Sequence, residues 1–206
     1  MKYIFVAGAP GSKWSSVVKN IYYSPDVDQT DYSDARTYYH DASGKMDLMH
    51  LGAYYDPGME FGTGFDNLHS YRKEMLEAEF DRPFTGSGIR IIKSHCFSTQ
   101  IDTLRALWPE SPIVLVHRPD DACLGWWVKC GHFDITYPVY DMYYKNLKTM
   151  ASIIKQQNTG IVNASRKYPG KHPLTNQQLA RMLGIDVPPD EYDQNYGASD
   201  VRVTLI

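Results

Sequence analysis

The chain has 206 residues, 43% hydrophobic and 22% charged, with 21 basic against 24 acidic side chains and a formal net charge of −3. That balance excludes wholesale binding to nucleic acid or to an anionic membrane surface, but allows a local basic pocket for a small anion. Its three cysteines, Cys96, Cys123 and Cys130, are too few and too irregularly spaced for a disulfide framework or a zinc site, and suit reduced thiols in a cytosol.

Met1-Lys2 leads straight into an apolar run, Lys2 to Ala7, of the kind that forms a strand buried on both faces. No apolar leader precedes it and no membrane-length apolar stretch follows, so the expectation is a soluble, cytoplasmic protein. Next comes a turn, Gly8-Ala9-Pro10-Gly11-Ser12-Lys13, and then a helix over Trp14 to Tyr23, with Trp14, Val17, Val18 and Ile21 at helical spacing. Residues 24–66 lack sustained periodicity, and four glycines and one proline lie between Gly52 and Gly64. This reads as a long irregular excursion with at most short elements, the usual character of a binding loop. Many of the chain's 16 tyrosines fall between Tyr22 and Tyr71 or between Tyr137 and Tyr144, an amphipathic side chain that suits either half-buried packing or a pocket for ring-bearing substrates.

A helix is expected over Leu68 to Phe80 and a strand over Ile89 to Lys93, which delivers Lys93-Ser94-His95 to one strand end. Ser98 to Trp108 reads as a helix and Ile113 to His117 as a third apolar strand, ending at Arg118. Asp120 or Asp121 can cap a helix running to about Cys130. The longest helical pattern covers Tyr140 to Gln157, followed by a short strand at Gly160-Ile161-Val162. A last helix runs from Leu174 to Leu183, capped by Thr175 and stopped by Gly184, before a C-terminal edge strand within Val201 to Ile206. Alternating short apolar strands and helices imply right-handed βαβ units. The expected fold is a single α/β domain over residues 1–206, with three layers and a mainly parallel central sheet flanked by helices, P-loop-like.

Three strands ending in phosphate-friendly or proton-transferring residues place one site at the carboxyl edge of that sheet. In the first turn, glycines let the backbone approach an anion while the following helix points its positive end at the same place. The turn is one residue short of a Walker A motif, no glycine precedes Lys13, and Trp14 stands where the magnesium-binding hydroxyl belongs. No apolar strand ends directly in an aspartate that would hold Mg²⁺. The pattern provides for a phosphate without the apparatus for transferring one.

The turn resembles the 5′-phosphosulfate loop of sulfotransferases that use 3′-phosphoadenosine 5′-phosphosulfate (PAPS). Lys93-Ser94-His95 resembles their Lys-Thr-His segment, whose histidine is the catalytic base, and Ile113 to Trp127 resembles their 3′-phosphate-binding strand and helix. The three motifs occur in the family's order, over about residues 1–185. The resemblance implies transfer of a sulfuryl group from PAPS, with no metal, to a hydroxyl or amine on a small molecule, glycan or peptide. It implies His95 as base, with Lys93 and Lys13 contacting the transferring group. Gly8, Pro10, Gly11, Ser12, Lys13, Trp14, Ser15 and Arg118 would bind the co-substrate.

The chain departs from the family at three places. Gly11 holds the place of the loop lysine, so Lys13 is read as supplying the displaced charge. Gly125 stands where a helix serine helps hold the 3′-phosphate. Arg166-Lys167-Tyr168-Pro169-Gly170 matches the family's late basic segment in composition but not in order.

Plainer assignments stand beside these. Lys93 and His95 also suit a solvated strand end, Arg118 an ion pair with Asp120 or Asp121, and His117 a structural role. Trp14, Trp126 and Trp127 suit either core packing or adenine stacking. An acceptor pocket in the 24–66 excursion would draw on Tyr54, Tyr55 and His50. Two further functions are a divergent P-loop kinase or nucleotide hydrolase, and a non-catalytic nucleotide-binding protein of the same fold.

Overall fold

A computed structural model describes residues 1–31, 38–39, 46–47, 52–55, 61–129, 146–188 and 195–206. In chain order the regular elements are β1 (Tyr3–Gly8), α1 (Trp14–Tyr22), β2 (Tyr38–Tyr39), β3 (Met46–Asp47), β4 (Ala53–Tyr54), α2 (Lys73–Asp81) and β5 (Arg90–Lys93). They continue with α3 (Ile101–Leu107), β6 (Ile113–His117), α4 (Asp120–Lys129), α5 (Leu147–Lys167), α6 (Asn176–Leu183) and β7 (Arg202–Leu205). 3₁₀ segments cover Gly62–Ser70 (kinked at Asn67), Cys96–Thr99 and Tyr196–Ala198.

Five strands form one sheet in the order β4-β5-β1-β6-β7, and β2 pairs separately with β3. The first four are parallel and β7 closes the edge antiparallel to β6. Register sets Val6 beside Lys93 and Gly8 beside Val116, so the carboxyl ends of β5, β1 and β6 lie side by side. The connection after β1 leads to the β4–β5 side and the one after β6 leads to β7, and the carboxyl edge at such a change of direction is where open α/β sheets bind ligands.

Side chains of β1 alternate between two cores, which explains the unbroken apolar run. Ile4 and Val6 pack with α1, α6 and β7 residues on one face. Tyr3, Phe5 and Ala7 pack on the other with Phe80, Phe97, Trp108 and Ile161. Helices therefore cover both faces of a mostly parallel sheet. A third cluster, Ala9, Cys123, Trp127, Met150 and Ile154, fastens α4 and α5 to the end of β1. Among the described residues no helix is long and apolar enough to cross a membrane.

The expected strands β1, β5, β6 and β7 form within a residue or two of their predicted bounds. The helix expected from Leu68 instead splits into the 3₁₀ segment ending at Ser70 and α2 starting at Lys73. The helix expected from Ser98 likewise splits at Gln100 into a 3₁₀ turn and α3. The strand expected at Gly160-Ile161-Val162 does not exist, because these residues lie inside the 21-residue α5. Gly160 is there for close approach: a Cβ on it would stand 2.9 Å from the Ser98 carbonyl carbon and nearer still to its oxygen. It lets α5 cross tightly over the 3₁₀ turn that follows His95. The last helix is as expected: Thr175 Oγ1 accepts from the Gln178 amide at 3.2 Å, and Gly184 ends it at φ 72°. Cys130, the start of the Tyr140 helix, His50 and about half of the 24–66 excursion lie outside the described residues.

Candidate functional site

β1 ends in a bend whose shape is set by packing. A Cβ on Gly8 would stand 2.7 Å from Ser12 Oγ and 2.9 Å from Trp14 Cβ. Gly11 has φ +77°, and a Cβ there would sit 2.9 Å from the Cys123 carbonyl carbon and nearer to its oxygen. The residue read as a missing lysine is thus the contact point between the bend and α4. Lys13 takes the left-handed conformation at φ 64° and ψ 21°, an uncommon one for a residue with a side chain. It precedes α1 without a side-chain cap, so the first-turn amides of α1 face the bend. Ser12 is fully buried, and its Oγ has no hydrogen-bond partner among the described residues.

The β5 end brings Lys93 and His95 to the same bend. Ser94 continues the ladder by donating its amide to Val6 O at 3.2 Å, and His95 opens the 3₁₀ turn that Ser98 caps onto His95 O. His95 is 3% exposed and its Nδ1 hydrogen-bonds the carbonyl oxygen of Gly8. A carbonyl only accepts, so Nδ1 carries a proton, and whenever the ring is neutral its lone pair lies on Nε2. That is the tautomer a general base needs. The imidazole stacks on the Trp14 indole, with centroids 4.0 Å apart and planes 26° from parallel. Lys93 is fully buried, with Nζ 5.6 Å from the Trp14 ring centre and 5.5 Å from that of Tyr54. Trp14 therefore links the bend, the lysine and the histidine.

At the β6 end Arg118 reaches back to the bend, donating from Nη1 to Gly11 O at 3.1 Å. Its Nε donates to Asp200 Oδ2 at 2.7 Å, so the ion pair expected with Asp120 or Asp121 is made instead with a residue just before β7. Asp120 is engaged elsewhere: Asn158 of α5 donates to its Oδ1 at 2.6 Å and to Arg118 O at 2.8 Å. Burial would raise the Asp200 carboxyl, but the Arg118 hydrogen bond and charge, with Lys13 further off, hold it below the ordinary range. Cys123 is buried beneath the bend, and its thiol is pushed up to about 12 by burial, which makes it a packing residue. Burial lowers His117, aided by Arg202 and opposed by Asp120, as suits a neutral structural histidine.

The structure thus gathers Gly8, Gly11, Ser12, Lys13, Trp14, Lys93, His95 and Arg118 around the bend after β1. Pro10 lies in the same bend and Ser15 in the first turn of α1. Tyr54 lies against Trp14 and His95, whereas Tyr55 turns to the opposite core and donates its hydroxyl to Glu79 O. Trp14 and Trp127 are buried, while Trp126 is partly exposed. The Arg166–Gly170 segment sits at the far end of the sheet, where Lys171 pairs with Leu205 and Lys167 with Asp102. Sequence reasoning missed Asp200 and Asn158. Neither carries a local signal, since each acts through a partner tens of residues away. No family of proteins, no curated protein and no solved structure matches the chain.

Proposed function

We propose that this chain is a PAPS-dependent sulfotransferase of P-loop-like fold, with His95 as general base. The observation that carries the reading is the His95 Nδ1 hydrogen bond to Gly8, which ties a base-competent imidazole to the root of an anion-binding bend. The bend suits the co-substrate on independent grounds. The Ser12 hydroxyl is fully buried in it and has no partner among the described residues.

In the proposed reaction His95 Nε2 takes the proton from an acceptor hydroxyl or amine as that atom bonds to sulfur. The bond from sulfur to the bridging phosphate oxygen breaks, and its electron pair leaves on 3′-phosphoadenosine 5′-phosphate (PAP). The amides of the bend and α1, with Lys13, offset the negative charge gathering on that phosphate. Lys93, buried beside His95 on the Trp14 indole, is placed to follow charge on the transferring group. Arg118 serves the 3′-phosphate, held toward the bend by Gly11 O and competed for by Asp200. The acceptor side falls to the 24–66 excursion.

Calorimetric titration with PAP, ATP and GTP, each with and without Mg²⁺, tests the cofactor class. The expected result is metal-independent preference for PAP, lost in Arg118→Ala. Binding of ATP or GTP that requires Mg²⁺ would replace this reading with a P-loop kinase or hydrolase.

A further inference from the structure

Two constraints hold the His95 ring, and both arise at the bend after β1. The Nδ1 hydrogen bond to Gly8 O fixes the imidazole within its own plane. The plane itself is fixed by the Trp14 indole, stacked on the imidazole with centroids 4.0 Å apart. Gly8 permits both. Its carbonyl accepts the bond, and its missing side chain admits Trp14, whose Cβ would stand 2.9 Å from a Cβ on Gly8. Tyr54 of β4 meets the indole at 77° and the imidazole at 86°, closing an aromatic clamp from a second element. The Lys93 ammonium lies 5.6 Å from the Trp14 ring centre and 5.5 Å from that of Tyr54, so the same two rings hold the lysine beside the histidine.

The resemblance would have Trp14 bind the co-substrate, yet its indole offers a nucleotide little surface. Trp14 is 4% exposed and Tyr54 1%. His95 covers one indole face, and Tyr54 packs against the same ring. A stacking base needs an open π-face. A general base needs its lone pair aimed, because it takes only a proton within hydrogen-bond reach. A ring held at Nδ1 alone can still swing about that bond. A second contact, flat against its face, stops the swing.

The geometry points to Trp14 as a positioning residue for His95: its indole fixes the imidazole plane, and with it the direction of Nε2, and does not carry the nucleotide. The step this serves, removal of the acceptor's proton by His95, rests on the proposed function. Trp14 thereby couples the anion-binding bend to the base, since the residue that opens α1 also sets the histidine on β5's end.

The test joins NMR of the intact chain to PAPS turnover and PAP calorimetry. In wild type the carbon-bound ring protons of His95, assigned by their loss in His95→Ala, are expected upfield of ordinary histidine positions, shielded by the indole. Trp14→Leu keeps apolar volume without a ring. It should return these protons to ordinary positions and cut turnover by about 10- to 100-fold, the scale of a misplacement of about 1 Å, with PAP affinity close to that of wild type. Trp14→Phe restores an aromatic face and should recover most of the turnover. Unshielded His95 protons in wild type overturn the proposal without any variant, so it stays falsifiable even where Trp14→Leu fails to fold. A fall in PAP affinity of about 5- to 150-fold in Trp14→Leu, with turnover at saturating PAPS unchanged, also overturns it, because the indole would then be a platform for the base. So does a loss of turnover in Trp14→Phe as large as in Trp14→Leu. Shielded protons that move in Trp14→Leu, in a protein that transfers no sulfuryl group from PAPS, keep the clamp and reject the sulfotransferase reading.

Discussion

Replacing Gly11 with alanine tests whether packing, rather than lost chemistry, explains the glycine in the bend. Two costs add. A side chain at φ +77° is penalised by roughly 1 kcal/mol. The new Cβ also collides with the Cys123 backbone carbonyl on α4, an atom that no rotamer change can move aside. Overpacking of this kind costs roughly 1–3 kcal/mol. The sum, roughly 2–4 kcal/mol, is a large share of the about 5–15 kcal/mol that holds a typical domain together. With a urea m-value of about 2 kcal/mol/M, the unfolding midpoint should fall by about 1–2 M. Gly125→Ala is the matched control: an exposed helix glycine with open space around it should gain about 0.5–1 kcal/mol. Opposite shifts in urea unfolding support the account. A Gly11→Ala midpoint equal to wild type would refute it, and the bend would then be free to carry a lysine.

Gly160→Ala in mid-helix should destabilise, by roughly 1–3 kcal/mol, where helix propensity alone predicts a gain; thermal or urea unfolding reads the sign. Asp200→Asn releases Arg118 from a carboxylate that competes with an incoming anion, so inorganic phosphate and PAP should bind about two- to fivefold more tightly by calorimetry. Asp81 tests pH dependence. Burial would raise its carboxyl, but hydrogen bonds from Lys2, Tyr3 and Arg90 hold it below the ordinary range. Its folded pKa is depressed, so its contribution is present above the unfolded value of about 4 and is lost as pH falls through the folded one. Asp81→Asn should therefore flatten the acid limb of stability against pH below about pH 4, measured by urea midpoints across that range.

The strands were legible because burial on both faces leaves an unbroken apolar run, as in Ile4-Phe5-Val6 and Val114-Leu115-Val116. The cap of α6 was legible because Thr175 and Gly184 act on their own neighbours in sequence. Gly160 misled because glycine marks both a helix break and a close approach, and only the Ser98 carbonyl on another element distinguishes them. Gly11 misled in the same way, since its reason lies in α4. The residues meeting at the bend were legible one strand end at a time. Their interactions were not: the Arg118–Asp200 pair joins residues 82 apart, and His95 meets Gly8 across 87. Such partners follow from sheet order, which periodicity does not encode.

The most direct measurement is release of radiosulfur from labelled PAPS to a panel of phenols, alcohols and amines, comparing wild type with His95→Ala. Loss of a general base should cut turnover by about 10²–10⁴-fold. PAP affinity, measured in parallel, should stay close to that of wild type, because the bend and Arg118 remain. Turnover in His95→Ala at the wild-type rate would contradict the assignment of His95 as the base.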